Sequence, residues 1–144
     1  MILQLTNNHI EDLLRLALIL YKNSEYYSLK EELTSLVNSK DNIFFLYISE
    51  NDNVAFCHCS IRKDYVEGSK SSPVGYLEGI YIKEQYRGKG IAKELLTNCE
   101  LWIKQKGCLQ FASDCTLDNT LSEKFHLKNG FKEANKIIHF IKDI

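Results

Sequence analysis

The run Gln85-Tyr86-Arg87-Gly88-Lys89-Gly90-Ile91-Ala92 constrains this chain more than any other. An apolar strand enters it from Tyr76 to Lys83 and a long amphipathic helix leaves it, so the backbone turns on two glycines between a strand and a helix. The first N–H groups of a helix lack intrahelical partners and the helix dipole is positive there, so a phosphate is bound at such a turn by geometry alone. Gly88 and Gly90 leave room for it, while Arg87 and Lys89 add positive charge suited to a ligand with more than one phosphate. The Gly-x-x-x-x-Gly-Lys-Ser/Thr phosphate loop is absent. A dinucleotide fingerprint would open the first βαβ unit, whereas this turn lies past the middle of the chain. Taken alone, the pattern also fits a plain glycine turn that starts a helix.

A chain of 144 residues with 44% hydrophobic content has the size of one domain with one core. Its net charge of -1 offers no bulk attraction for nucleic acid or an anionic membrane, so any charge selectivity must be local. No apolar run is long enough to span a bilayer and no secretion signal is evident at the N-terminus, so a cytoplasmic protein is expected. Five cysteines without a Cys-x-x-Cys pair point to reduced thiols, with Cys57 and Cys59 as small packing residues on one face of a strand; no metal site is expected.

Periodicity predicts an edge strand over Met1 to Leu5, then a helix from a cap at Asn7 or Asn8 to Leu20 with Ile10, Leu13, Leu14, Ala17 and Leu18 on one stripe. Tyr21 to Ser28 reads as a polar loop, and Leu29 to Val37 as a short helix. Ile43 to Ile48 and Val54 to Ile61 form a hairpin around Glu50 to Asn53, and Arg62 to Pro73 forms a long surface connection. In the strand from Gly75 to Lys83, alternation places Tyr76, Glu78, Ile80 and Ile82 on one face and Leu77, Gly79, Tyr81 and Lys83 on the other. The helix after the glycine turn ends at Gly107. Cys108 to Asp114 is expected as a buried strand parallel to the one before that helix, Leu117 to Asn129 as a helix, and Ile137 to Ile141 as a final strand. The expected class is α/β, a mixed antiparallel and parallel sheet flanked by helices in a single domain over residues 1–144.

This chain resembles the GNAT superfamily of N-acetyltransferases. The superfamily's acetyl-CoA motif, Gln/Arg-x-x-Gly-x-Gly/Ala, is met twice, by Gln85, Gly88 and Gly90 and by Arg87, Gly90 and Ala92. Asn119, then His126, then Gly130-Phe131 is similar to its Asn-x-x-Ala-x-x-Leu-Tyr-x-x-x-Gly-Phe helix, with Ser122, Phe125 and His126 where Ala, Leu and Tyr are usual. The runs Ser60 to Gly68, Ser71 to Val74, Leu77 to Ile80, Ala112 to Asp114, Lys124 to His126 and Gly130 to Glu133 are similar to small bacterial aminoglycoside 6'-N-acetyltransferases. Those enzymes usually carry Leu-Trp-Pro-x-His after the first helix; here the chain reads Leu20-Tyr21-Lys22-Asn23-Ser24, which leaves Tyr21 to supply an aromatic lip.

The resemblance implies acetyl-CoA as donor, its pyrophosphate on the backbone from Arg87 to Ala92 and its pantetheine arm along Gly79, Ile80, Tyr81 and Ile82, oriented from the far side by Asn119. It implies His126 as general acid for the leaving thiolate. Glu78 and Asp114 then lie on the two strands expected to splay at the donor site, as carboxylates that bind a polycationic amine and take its proton. Asp64, Tyr65 and Glu67 would extend an acidic rim. The implied reaction is direct acetyl transfer to the 6'-amine of aminoglycosides, conferring resistance. Other acceptors, such as a polyamine or a peptide N-terminus, and a non-catalytic acetyl-CoA-binding domain remain open. A homodimer is expected, with Ile137 to Ile141 as either interface or core.

Overall fold

The computed structural model describes residues 1–144. Five strands form one sheet in the order β1-β2-β3-β4-β5. They are β1 (Ile2–Gln4), β2 (Asn42–Ser49), β3 (Asp52–Arg62), β4 (Val74–Ile82) and β5 (Phe111–Ala112). Neighbours pair antiparallel except β4 and β5, which are parallel and joined through helix α3 (Ile91–Gln105). The mixed sheet expected from the sequence is therefore present.

Each face of the sheet carries its own core. Helices α1 (Ile10–Leu20) and α2 (Tyr26–Val37) bury Leu13, Leu14, Leu16, Ala17, Leu29 and Leu33 against Phe44, Leu46 and Phe56. On the opposite face, α3 buries Leu95, Leu96, Cys99 and Ile103 against Ile43, Phe45, Cys57 and Cys59. Each fully buried leucine here contributes about 2 kcal/mol by removal of apolar surface from water. The cysteines pack as thiols, with Cys57 Sγ 3.4 Å from Cys99 Sγ. Helix α4 (Thr120–Lys128) lies beyond β5 and is capped by Asn119 Oδ1, which accepts from the Ser122 N–H at 3.1 Å.

The structure corrects several expectations. Helix α2 begins at Tyr26, inside the predicted polar loop, because the Glu25 carboxylate accepts from the N–H groups of Tyr27 and Ser28 at 2.9 and 2.8 Å. Glutamate is an uncommon N-cap, which hides this start from pattern reading. The cap expected from Asn7 or Asn8 is supplied by Thr6, which exchanges hydrogen bonds with His9, while the Asn7 side chain pairs with Asn38. Strand β5 is reduced to two paired residues out of the predicted Cys108 to Asp114.

The predicted final strand from Ile137 to Ile141 is not formed, and Phe140 and Ile141 are 91% and 97% exposed. The chain after α4 is led over the connection between β3 and β4, where Ala134 lies against Gly68 and the Asn135 amide donates to Glu67. That course carries the apolar run away from its own sheet.

Candidate active site

Gly88 and Gly90 adopt φ of +74° and +84°, in the left-handed region that favours glycine. A side chain at either would meet nothing within 4 Å, so the turn presents bare backbone. Gly90 is the N-cap of α3 and no side chain caps that end, leaving the first-turn N–H groups available. Arg87 Nε donates to the Ile82 carbonyl at 2.9 Å, which holds the guanidinium at the end of β4 beside the turn. These features fit the pyrophosphate of an acyl donor. Ile91 is buried in the core, so its contribution to such a site is its backbone. Gln85 lies towards the β2–β3 tip, where it lines a cleft of about 360 Å³ with Tyr47, Glu50, Tyr86 and Lys89.

Strand β4 pairs with β5 only at Gly75–Phe111 and Tyr76–Ala112. From Leu77 to Ile82 it runs on with no partner on that side, so the two parallel strands part just where the chain reaches Ser113 and Asp114. The unpaired edge through Gly79, Ile80, Tyr81 and Ile82 can hydrogen-bond an extended amide-bearing ligand.

The β3–β4 register shifts between His58–Gly79 and Cys59–Leu77, so Glu78 is an extra residue, a β-bulge. This corrects the predicted alternation. Ile80 and Ile82 pack with Leu77 on the α3 face, and Tyr81 packs on the α1 face. Gly79 also faces α1, where a side chain would fall 2.3 Å from the Tyr21 hydroxyl. Tyr21 ends α1 and is half-buried, and its phenol is pushed above the usual range by burial and then by Glu78 and Glu32. The aromatic lip expected at Tyr21 is thus placed over β4 beside the bulge.

Glu78 is engaged within the protein. Arg62 chelates it, with Nε 2.9 Å from Oε1 and an Nη 2.8 Å from Oε2, and Ser60 Oγ donates to Oε1 at 2.6 Å. Burial alone would raise its carboxyl, but the bonds from Arg62 and Ser60 hold it below the usual carboxylate range. A carboxylate so held is a weak base. The Arg62 guanidinium stacks 3.4 Å from the Tyr76 ring centre, and the Tyr76 hydroxyl donates to Asp114 Oδ2. Glu78, Arg62, Tyr76 and Asp114 therefore form one line across the opening of the strands, which brings the two predicted carboxylates together. Asp114 is exposed and its Oδ1 has no partner in the protein. Asp64 and Tyr65 are exposed on the connection after β3 and hydrogen-bond to none of this line; Glu67 is bonded to Asn135.

His126 lies on the other side of the opening. Its Nδ1 is 2.6 Å from the Ser122 carbonyl, which can only accept, so Nδ1 carries a hydrogen. Nε2 of the neutral ring then accepts from Ser113 Oγ at 2.7 Å. The edges of Phe125 and Phe131 pack at centroid distances of 5.3 Å and fix the ring. Asn119 keeps its Nδ2 free while Oδ1 caps α4.

Arg62, Tyr76, Ser60 and Ser113 carry much of this site and were not singled out by sequence reasoning. A signal existed in β3, where His58 and Ser60 interrupt an otherwise apolar run. Polar residues at buried strand positions need partners, and Ser60 stands opposite Tyr76 in the register.

Residues 8–131 match the profile of the Acetyltransferase (GNAT) family. The chain is 39% identical over 135 residues to aminoglycoside N(6')-acetyltransferase type 1 of Acinetobacter haemolyticus, covering 94% of this chain and 92% of that one. It is 35% identical to the protein of the same name from Acinetobacter baumannii, covering 99% and 98%. Its structure is similar to aminoglycoside N-acetyltransferase AAC(6')-Iy in complex with CoA, with a TM-score of 0.96 and 31% identity over 100% of this chain and 95% of that one. The same enzyme with the bisubstrate analogue CoA-S-monomethyl-acetylneamine gives a TM-score of 0.91 at 32% identity, covering 100% and 98%. With the glycine cradle, the parted parallel strands and these relatives in agreement, the chain belongs to the GNAT family of acetyltransferases.

Proposed function

We propose that this protein transfers the acetyl group of acetyl-CoA to the 6'-amino group of aminoglycosides by direct attack in a ternary complex, and so confers resistance to them. The observation that carries this reading is Asp114. It is an exposed carboxylate with one oxygen free, standing where β4 and β5 part, on a chain whose relatives bear the name aminoglycoside 6'-N-acetyltransferase.

The donor supplies, when bound, an acyl carbon activated as a thioester. Backbone N–H groups from Gly88 to Ala92, with Arg87 and Lys89, hold the pyrophosphate. The unpaired edge from Gly79 to Ile82 holds the pantetheine arm, with the Asn119 amide on the far side. Asp114 binds the acceptor as a cation and takes the reacting amine's proton, directly or through water. Glu78 fixes Arg62 and contributes charge, since its own oxygens are occupied. Tyr21 offers a flat surface to a sugar ring. His126 supplies the proton that the leaving thiolate takes up. Position does most of the work here, because a held thioester and a held amine react as an intramolecular pair.

The active species is a homodimer in which the arm from Ile137 to Ile141 is covered by a second copy. Its exposed Ile138, Phe140 and Ile141 support this, as does a cleft of about 270 Å³ lined by Ile103, Cys108, Leu109 and Phe111 beside the free edge of β5. The protein works in the cytoplasm, where acetyl-CoA is supplied; no helix is long and apolar enough to cross a membrane.

A thiol-release assay with acetyl-CoA and a panel of amines tests the reading. Turnover with aminoglycosides that carry a free 6'-amine is expected, and none with matched 6'-hydroxyl compounds. Equal turnover with polyamines or peptides, or no turnover despite tight acetyl-CoA binding, overturns it.

A further inference from the structure

We infer that Ser113 is the group through which the proton of His126 reaches the leaving thiolate. This rests on the reading of His126 as the general acid.

The imidazole has no direct path to the opening between the strands. One nitrogen is bonded to the backbone of its own helix, at the Ser122 carbonyl, and the other to the Ser113 hydroxyl. Phe125 and Phe131 pack against the ring. Ser113 is the first residue after the last β4–β5 pair, so it stands where the strands part, and its Oγ is 3.4 Å from the Leu77 carbonyl on the facing strand. Beyond the end of β5 the two neighbouring side chains diverge, Asp114 to Tyr76 on the acceptor line and Ser113 to His126.

The hydrogen bonds set the direction of transfer. In the neutral ring Nε2 has no hydrogen, and the single Ser113 hydrogen is spent on it. Once the ring gains a second proton, Nε2–H donates to Oγ and the Ser113 O–H is released to turn into the opening. As the carbon–sulfur bond breaks with its electron pair left on sulfur, Ser113 gives its hydroxyl proton to sulfur and takes the Nε2 proton. The ring returns to the neutral Nδ1–H form on Ser122. The acceptor ammonium sheds two protons to solvent through Asp114, one before attack and one as the amide forms, and the ring regains one from solvent, so that one proton is released for each acetyl group transferred.

The test uses Ser113→Ala, Ser113→Thr, His126→Ala and the Ser113→Ala/His126→Ala double variant. Ser113→Ala and His126→Ala are expected to lower kcat by similar factors, on the order of 10²-fold for loss of a general acid. The double variant should be no slower than the slower single one, because the two residues act in series. Ser113→Thr, which keeps a hydroxyl, should restore most of kcat. Calorimetric affinity for acetyl-CoA should be unchanged in all four, which also reports that they fold. In the ligand-free protein, ¹⁵N NMR of His126 should show hydrogen on Nδ1 and none on Nε2 at neutral ring charge, with the Nε2 shift moving in Ser113→Ala. Wild-type kcat in Ser113→Ala beside a slow His126→Ala defeats the relay and leaves the acid in place. Wild-type kcat in His126→Ala defeats the acid reading and the relay with it. Additive losses in the double variant, or a hydrogen on Nε2 of the neutral ring, also overturn the relay.

Discussion

The Tyr76 hydroxyl donates to Asp114 across the first gap between β4 and β5, so a phenol on one strand aims the carboxylate at the start of the next segment. Burial, and then this bond to the carboxylate, push the phenol above its usual range and keep it a donor throughout the working pH range. The bond uses only one oxygen of Asp114. The other has no partner in the protein, and under the proposed function it is the oxygen that meets the acceptor.

Asp114→Ala should therefore raise the KM for aminoglycosides at least about tenfold, as expected from loss of a charge-assisted bond worth roughly 1.5–3 kcal/mol. Acetyl-CoA affinity should not change. Tyr76→Phe should show the same pattern more weakly, about three- to tenfold, since the carboxylate remains but loses its aim. Steady-state kinetics with calorimetry of donor binding check both; loss of donor binding in Asp114→Ala would contradict the assignment.

Gly79 has no room for a side chain, since a Cβ there lies 2.3 Å from the Tyr21 hydroxyl and 3.4 Å from its Cζ. Gly79→Ala is predicted to destabilise the fold by about 1–3 kcal/mol through overpacking and to weaken acetyl-CoA binding along β4. Tyr21→Phe removes the atom that clashes, so the double variant should recover most of the loss. Denaturant unfolding of the four proteins measures the coupling.

His58 gives the stability a pH dependence. Burial against Phe44, with ring centroids 4.0 Å apart, lowers its pKa from 6.5 to about 4. Between those values the unfolded chain holds a proton that the folded chain does not, so stability falls as pH falls from about 6.5 towards 4. The loss amounts to roughly 3 kcal/mol at the low end. Unfolding free energies at pH 7 and pH 4.5 should differ less in His58→Gln; an unchanged slope would exclude His58 as the source.

The exposed arm makes a separate prediction. If the proposed dimer forms through this arm, wild type should scatter light as a dimer and Phe140→Asp/Ile141→Asp as a monomer, because two charges cannot be buried in an apolar interface without partners. A dimer of unchanged affinity would remove the arm from the interface.

Much of the fold was readable because the strong periodic segments are those with the largest buried faces. The α3 stripe of Leu95, Leu96, Cys99 and Ile103 and the β2–β3 hairpin followed directly from spacing. The arm misled because a short apolar run suggests a strand without naming the chain that pairs with it. The Glu78 bulge was invisible for a related reason: one extra residue shifts the register without altering composition, and only the partner strand shows where. Of the site, the glycine cradle was legible from local geometry. The engagement of Glu78 was not, because Arg62 and Ser60 reach it across the sheet from the preceding strand, 16 and 18 residues earlier in sequence.

The position of the acetyl group on the product tests the central claim most directly. With acetyl-CoA labelled at the acetyl carbonyl with ¹³C and an aminoglycoside bearing a free 6'-amine, NMR of the isolated product should show one new amide, on the 6'-nitrogen, in step with thiol release. An acetyl group on any other nitrogen, or thiol release that yields only free acetate, would contradict the account.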